Sequence, residues 1–145
     1  MQSERVILQL PAFIKGTVVK RPSAICKTPY VADVQDENGT KLLGHTAALG
    51  CCGLVDSGES IYMVEVNNKK NVCSHKIMLS ERHERGVSYL VGTDPKVAET
   101  IVESCIRKNY LSALSHVKTL MREQTFLNSR FDFTGYDSSG RQFIL

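Results

Sequence analysis

In the stretch NSRFDFTGYDSSGRQFIL, residues 128–145, a carboxylate, Asp132, stands between Phe131 and Phe133 on the first strand. The alternation of the stretch reads as a strand, a tight turn and a second short strand. A carboxylate at the middle of a hairpin strand can lean into a cleft and hold a divalent cation. Phosphodiester cleavage asks for more: a second carboxylate on the same ion, and a lysine to orient the attacking water or steady the developing charge. A common solution pairs an Asp on one strand with Glu-x-Lys on the next, because strands about 4.8 Å apart let groups on one face share an ion. Glu123 is a further carboxylate, though beside Arg122 its ordinary role is a solvated or ion-paired one; Glu99 is an alternative.

Other reactive side chains carry less pattern. His45, Cys51, Cys52, Cys73, His75 and His83 include no C-x2-C or H-x3-H spacing, and adjacent cysteines chelate one ion awkwardly, so zinc is not expected. Ser74-His75 and Ser115-His116 come without a G-x-S-x-G elbow, which leaves no case for a nucleophilic serine. The basic residues are more suggestive. Lys15, Lys20, Arg21 and Lys27 lie close together, with Phe13 and Tyr30 interleaved; Lys69 and Lys70 sit at a hairpin tip, followed by Lys76. Cations with aromatic rings between them are what a backbone-tracking, base-stacking surface uses.

These groups must be positioned by short strands. RVILQL (5–10), FIKGTVVKR (13–21, with Gly16 a candidate bulge), PYVADVQ (29–35), SIYMVEV (60–66) and NVCSHKIML (71–79) have strand composition. DENG after the third suits a hairpin turn at Asn38-Gly39. Short strands punctuated by Gly, Asn and Pro make a small oligonucleotide-binding-type (OB-like) barrel the natural architecture. HTAALGCCGLVDSG (45–58) interrupts them as a glycine-rich loop with room for one helical turn. Near Thr93 the period changes. Asp94 is a helix N-cap, Pro95 the first helical residue, and Val97, Ala98, Ile101, Val102, Cys105 and Ile106 form an apolar stripe ending near Asn109. YLSALSHVKTLMREQTF (110–126) reads as a helical turn and then a strand.

With 145 residues, 42% hydrophobic and 23% charged, the chain can bury a core and is not disordered by composition. A net charge of +3 permits a polyanionic partner without requiring one. No apolar run is long enough to span a membrane, and MQSERVILQLPAF lacks the layout of a signal peptide. Five cysteines, irregularly spaced, are then expected to be reduced thiols, inside the cell in cytoplasm or nucleus.

The residues also carry a resemblance. EQTFLNSRFDFTG followed by GRQFIL resembles the C-terminal domain of the sugar fermentation stimulation (SfsA) family, where a Glu precedes Ser-Arg-hydrophobic-Asp-Phe, a turn and a Glu-Val-Lys strand. GTVVKRPSA, PYVADVQDENG, HTAALGCCGLVDSG and GTDPKVAETIVESCI resemble its earlier segments. The resemblance implies an α+β chain in which an OB-like β-barrel, residues 1–90, packs on a truncated PD-(D/E)XK nuclease-like unit, residues 91–145. Asp132 then corresponds to the metal-binding aspartate and Glu123 to the upstream glutamate, whereas the Glu-Val-Lys strand would begin about where Leu145 stands.

The expectation is therefore a DNA- or RNA-binding protein without sequence specificity that does not cut, using Lys15, Lys20, Arg21, Lys27, Tyr30 and Arg130. It needs no cofactor. Mg2+ enters only in the alternative of a nuclease completed by a second subunit, with Asp132 as the metal candidate. A protein-interaction scaffold is a third reading. The edge of the last strand offers a surface for homodimer formation.

Overall fold

The structure, a computed structural model, describes residues 5–67 and 72–145. It is mostly β with one α-helix, and the chain divides into two compact units, one of Leu10–Val97, the other of residues up to Gln9 together with Ala98–Leu145. Lys69 and Lys70 lie outside the described residues.

In the first unit β1 (Ile14–Lys20), β2 (Val31–Asp36), β3 (Lys41–His45), β4 (Ser60–Glu65), β5 (His75–Glu84) and β6 (Val87–Gly92) form one sheet in the order β3-β2-β1-β4-β5-β6. A further, parallel pairing joins β3 to β5 through Gly44↔His75 and His45↔Lys76. The pairings therefore run in a circuit, β1–β2–β3–β5–β4 and back to β1. Alternate side chains of these strands (Val18, Ala32, Val34, Ile61, Met63 and Ile77) point into one core, each nearly or fully removed from water. The glycine-rich loop drops Val55 into the same core, and a 3-10 turn at Cys51–Gly53 provides its helical turn.

Two local expectations give way here. Gly16 is not a bulge: it pairs regularly with Asp36 and Ile61, and the register shift falls between Val18 and Lys20. The missing side chain serves close approach instead, since a Cβ there would lie 2.8 Å from Val34 Cγ1 and 2.9 Å from the Gln35 carbonyl oxygen. RVILQL is not a strand either. Its backbone accepts hydrogen bonds from the helix and the residue that follows it, Ser104 Oγ donating to Ile7 O at 3.0 Å and Lys108 Nζ to Val6 O at 3.2 Å, while Arg5 stacks 4.9 Å above Tyr110. Apolar β-branched composition alone could not distinguish a strand from an extended segment tied down by side chains.

The helix α1 (Pro95–Arg107) starts as its sequence dictates, the Asp94 carboxylate accepting from Lys96 N at 3.1 Å. It ends at Asn109, whose φ of 55° takes the left-handed turn that breaks the helix. Its stripe is buried at Cys105 and Ile106, whereas Ile101 is exposed. A second sheet, β7 (Val117–Phe126), β8 (Ser129–Asp137) and β9 (Gln142–Ile144), follows in the order β7-β8-β9. Arg122 on β7 joins this sheet to α1: it donates to Glu99 at 2.7 Å and Glu103 at 3.2 Å and lies over the Phe133 ring. The last residues are docked by backbone, with Leu145 N donating to Phe133 O at 2.9 Å.

Candidate functional site

The β2–β3 hairpin is closed by Asp36, whose carboxylate accepts from Asn38 N at 2.9 Å and Thr40 N at 2.7 Å, with Gly39 at φ 82°. Those donors, Thr40 foremost, hold the Asp36 carboxyl below its ordinary range. Beside the hairpin lies a groove of about 480 Å3, lined by Asp33, Gln35, Lys41 and Leu43 of β2–β3, Ile25 of the β1–β2 loop and Val72 beyond β4. Ile25 and Val72 are each 74% exposed, so the groove has two apolar lips.

The β1–β2 loop, residues 21–30, is pinned by Asp33. Ser23 Oγ and Ala24 N donate to its two carboxylate oxygens, Ala24 at 2.8 Å. A second hollow, of about 590 Å3, opens among Thr28, Tyr30, His45, Cys73, His75 and Lys76. His75 is buried there, its Nδ1 2.8 Å from Ser74 Oγ.

The expected basic residues meet different fates. Lys15 is committed to Glu81 at 2.7 Å and lies over the Tyr62 ring; the Glu81 hydrogen bond raises its pKa, and Lys15 in turn lowers that of Glu81. Phe13 packs edge-on against Tyr62 at 6.2 Å and offers no separate stacking platform. Arg21 donates to three carbonyls, Pro29 at 2.8 Å, Ala48 at 2.9 Å and Leu49 at 2.7 Å, which makes it a brace between loops. Lys20, Lys27 and Tyr30 remain exposed along residues 20–30. Arg130 belongs to the other unit and is paired with Glu123. Lys41 and Leu43, which line the groove, are not marked out by the sequence as site residues; the alternation K-L-L-G-H after the Asn-Gly turn is the available signal.

The residues that bear the two carboxylates stand at opposing positions of the β7–β8 hairpin. Asp132 and Glu123 fall between the pairs Arg122↔Phe133 and Gln124↔Phe131 on β8 and β7. Glu123 has φ 51° and binds Arg130, and Asp132 is exposed. Glu99 and Glu103 are engaged by Arg122, whose pKa they raise, Glu99 first. Among the described residues no three of His, Cys, Asp and Glu gather where they could hold a metal ion. Of the cysteine–histidine set, His45, Cys73 and His75 line the second hollow, Cys51 Sγ donates to Ala48 O, and His83 lies exposed near Glu81. Asp132, exposed, and Glu123, held by Arg130, do not by themselves make a donor set that fits a divalent cation.

No protein-family model matches the chain. Three curated proteins called sugar fermentation stimulation protein homolog are similar to it. That of Clostridium novyi is 23% identical over 128 residues, covering 88% of this chain and 52% of its own length. Those of Desulfitobacterium hafniense and Pseudoalteromonas translucida are 26% and 27% identical, with 47% and 50% of their lengths covered. The chain thus spans about half the length of the relatives it matches. A solved structure of Pyrococcus furiosus SfsA in complex with Ca2+ has a similar fold, with TM-score 0.77 at 15% identity over 97% of this chain and 56% of that one.

Proposed function

From the relation of this chain to the sugar fermentation stimulation proteins, which extends along most of its sequence, we propose that it binds nucleic acid, DNA or RNA, without sequence specificity and without cutting it. The reading divides the chain near residue 90 into an OB-like barrel and a nuclease-like unit, and sets it to work inside the cell. One observation carries it. The pairing circuit β1–β2–β3–β5–β4, with β3 and β5 parallel, sets the β2–β3 face between the β1–β2 loop and the segment joining β4 to β5. That face and those two connections are where OB folds take oligonucleotides. The groove lies there, with Lys41 in it. Lys20, Lys27 and Tyr30, on or beside the loop, are exposed to phosphates and bases. Lys15, Arg21 and Arg130 are given smaller parts, because each already has a partner.

A second reading, a metal-dependent nuclease completed by a second subunit through the β9 edge, draws on the opposing positions of Asp132 and Glu123 and on the Ca2+ of the Pyrococcus protein. Incubation of labelled single-stranded DNA, duplex DNA and RNA with the protein, with and without Mg2+ or Mn2+, separates the two. Retarded, intact nucleic acid is the expected outcome. Metal-dependent cutting that Asp132→Ala abolishes would establish the second reading, and absence of retardation on every substrate would remove the first.

A further inference from the structure

Two cysteines that the binding reading leaves unused lie on the two chain segments flanking the groove. Cys26 is half-buried in the β1–β2 loop, where its N–H donates to Ser23 Oγ at 3.2 Å and the next residue, Lys27, turns at φ 53°. Cys73 is buried just before β5, next to Ser74, whose carbonyl accepts Val66 N–H at 2.8 Å. The segments border the same open space twice: Ile25 and Val72 are lips of one groove, and Thr28 and Cys73 line the adjoining hollow.

We propose that Cys26 and Cys73 form a peroxide-oxidisable pair whose disulfide ties the β1–β2 loop to the approach of β5 and fixes the width of the groove. Burial, with the neighbouring Cys26 thiol adding to it, pushes the Cys73 thiol up. Cys73 is therefore slow toward peroxide by itself, which leaves Cys26 as the first site of oxidation; Cys73 can act as the resolving thiol through its nearness to that loop, not through enhanced reactivity. Hydrogen peroxide oxidises the more accessible Cys26 thiol to a sulfenic acid, releasing one water. The Cys73 sulfur then displaces hydroxide from the Cys26 sulfur; the S–S bond forms and a second water leaves with the Cys73 proton. Two thiols are oxidised to one disulfide and one peroxide is reduced to two waters.

Only the consequence for binding rests on the proposed function; the bridge can be read without nucleic acid. The experiment uses the full chain carrying Cys52→Ser, which removes an exposed thiol, treated with stoichiometric hydrogen peroxide. Intact mass should fall by two hydrogens. Tryptic digestion without reductant should yield a linked pair, the peptide ending at Lys27 joined to the peptide ending at Lys76. Cys26→Ser and Cys73→Ser should each abolish it, and amide exchange at residues 25–28 and 72–74 should slow roughly threefold or more in the oxidised protein. Sulfinic acid at Cys26 with no linked peptide, a bridge to Cys51 or Cys105, or loss of two hydrogens persisting in Cys73→Ser would overturn the pairing. A linked peptide with unchanged exchange would overturn the clamp. Failure of nucleic-acid binding in reduced protein leaves each of these readouts intact, so the two ideas fail separately.

Discussion

Asp137 closes the β8–β9 turn with a single carboxylate: Ser139 N and Oγ, Arg141 N and Arg141 Nε all donate to it. These donors, the Ser139 hydroxyl first, hold its carboxyl well below the usual range. A lowered folded value means that the stabilisation is present above the unfolded pKa of about 3.9 and is lost as pH falls below it toward the folded value. Urea midpoints of wild type should therefore drop more steeply below about pH 4 than those of Asp137→Asn, the two curves converging in acid. Gly135 makes a sharper residue-scale case. A Cβ there would collide with Thr119 O and lie 2.9 Å from the Phe143 ring, so Gly135→Ala should lose about 3 kcal/mol or more in denaturant unfolding, the backbone being unable to give. Arg21 is the residue whose expected and observed roles differ most. Arg21→Ala strips donors from three carbonyls and should cost about 1–3 kcal/mol, a stability loss that a surface lysine substitution would not reproduce.

At the scale of elements, much was legible because local chemistry and fold agreed. Asn38-Gly39 gave the β2–β3 turn, Asp94-Pro95 the start of α1, and SRFDF the strand carrying Asp132. SIYMVEV, read as a strand from its composition, forms β4, with Ile61 and Met63 inside. What escaped depended on partners distant in sequence. No spacing within RVILQL announces that Ser104 and Lys108 will claim its carbonyls, and nothing near Gly16 reveals Val34 opposite it. The opposing positions of Glu123 and Asp132 follow only once the β7–β8 register is known. The core of the six-stranded sheet can be tested directly. Ile77 is fully buried among Val34, Ile61 and Met63, so Ile77→Ala should destabilise by about 2–5 kcal/mol, read from the shift in urea midpoint at unchanged slope.

At the scale of the molecule, the sequence carried the likeness to sugar fermentation stimulation proteins through motifs spread over most of the chain, and the fold is similar to that of Pyrococcus furiosus SfsA. The candidate surface was only half legible. Lys20, Lys27 and Tyr30 could be picked out as a basic run with a ring, but Lys41 reaches the groove through hairpin pairing. The central claim is that this face holds a phosphate backbone, and salt reads it most directly. Fluorescence anisotropy of a labelled single-stranded oligonucleotide, without divalent metal, gives the slope of log affinity against log salt. Wild type should bind at about 50 mM salt and weaken linearly with log salt. The combined Lys20→Ala, Lys27→Ala and Lys41→Ala variant, folded as judged by its urea midpoint, should have a slope shallower by about 2, since each phosphate that a lysine no longer neutralises removes about 0.7. No binding by wild type at about 50 mM salt, or an identical slope in the folded variant, would contradict the account.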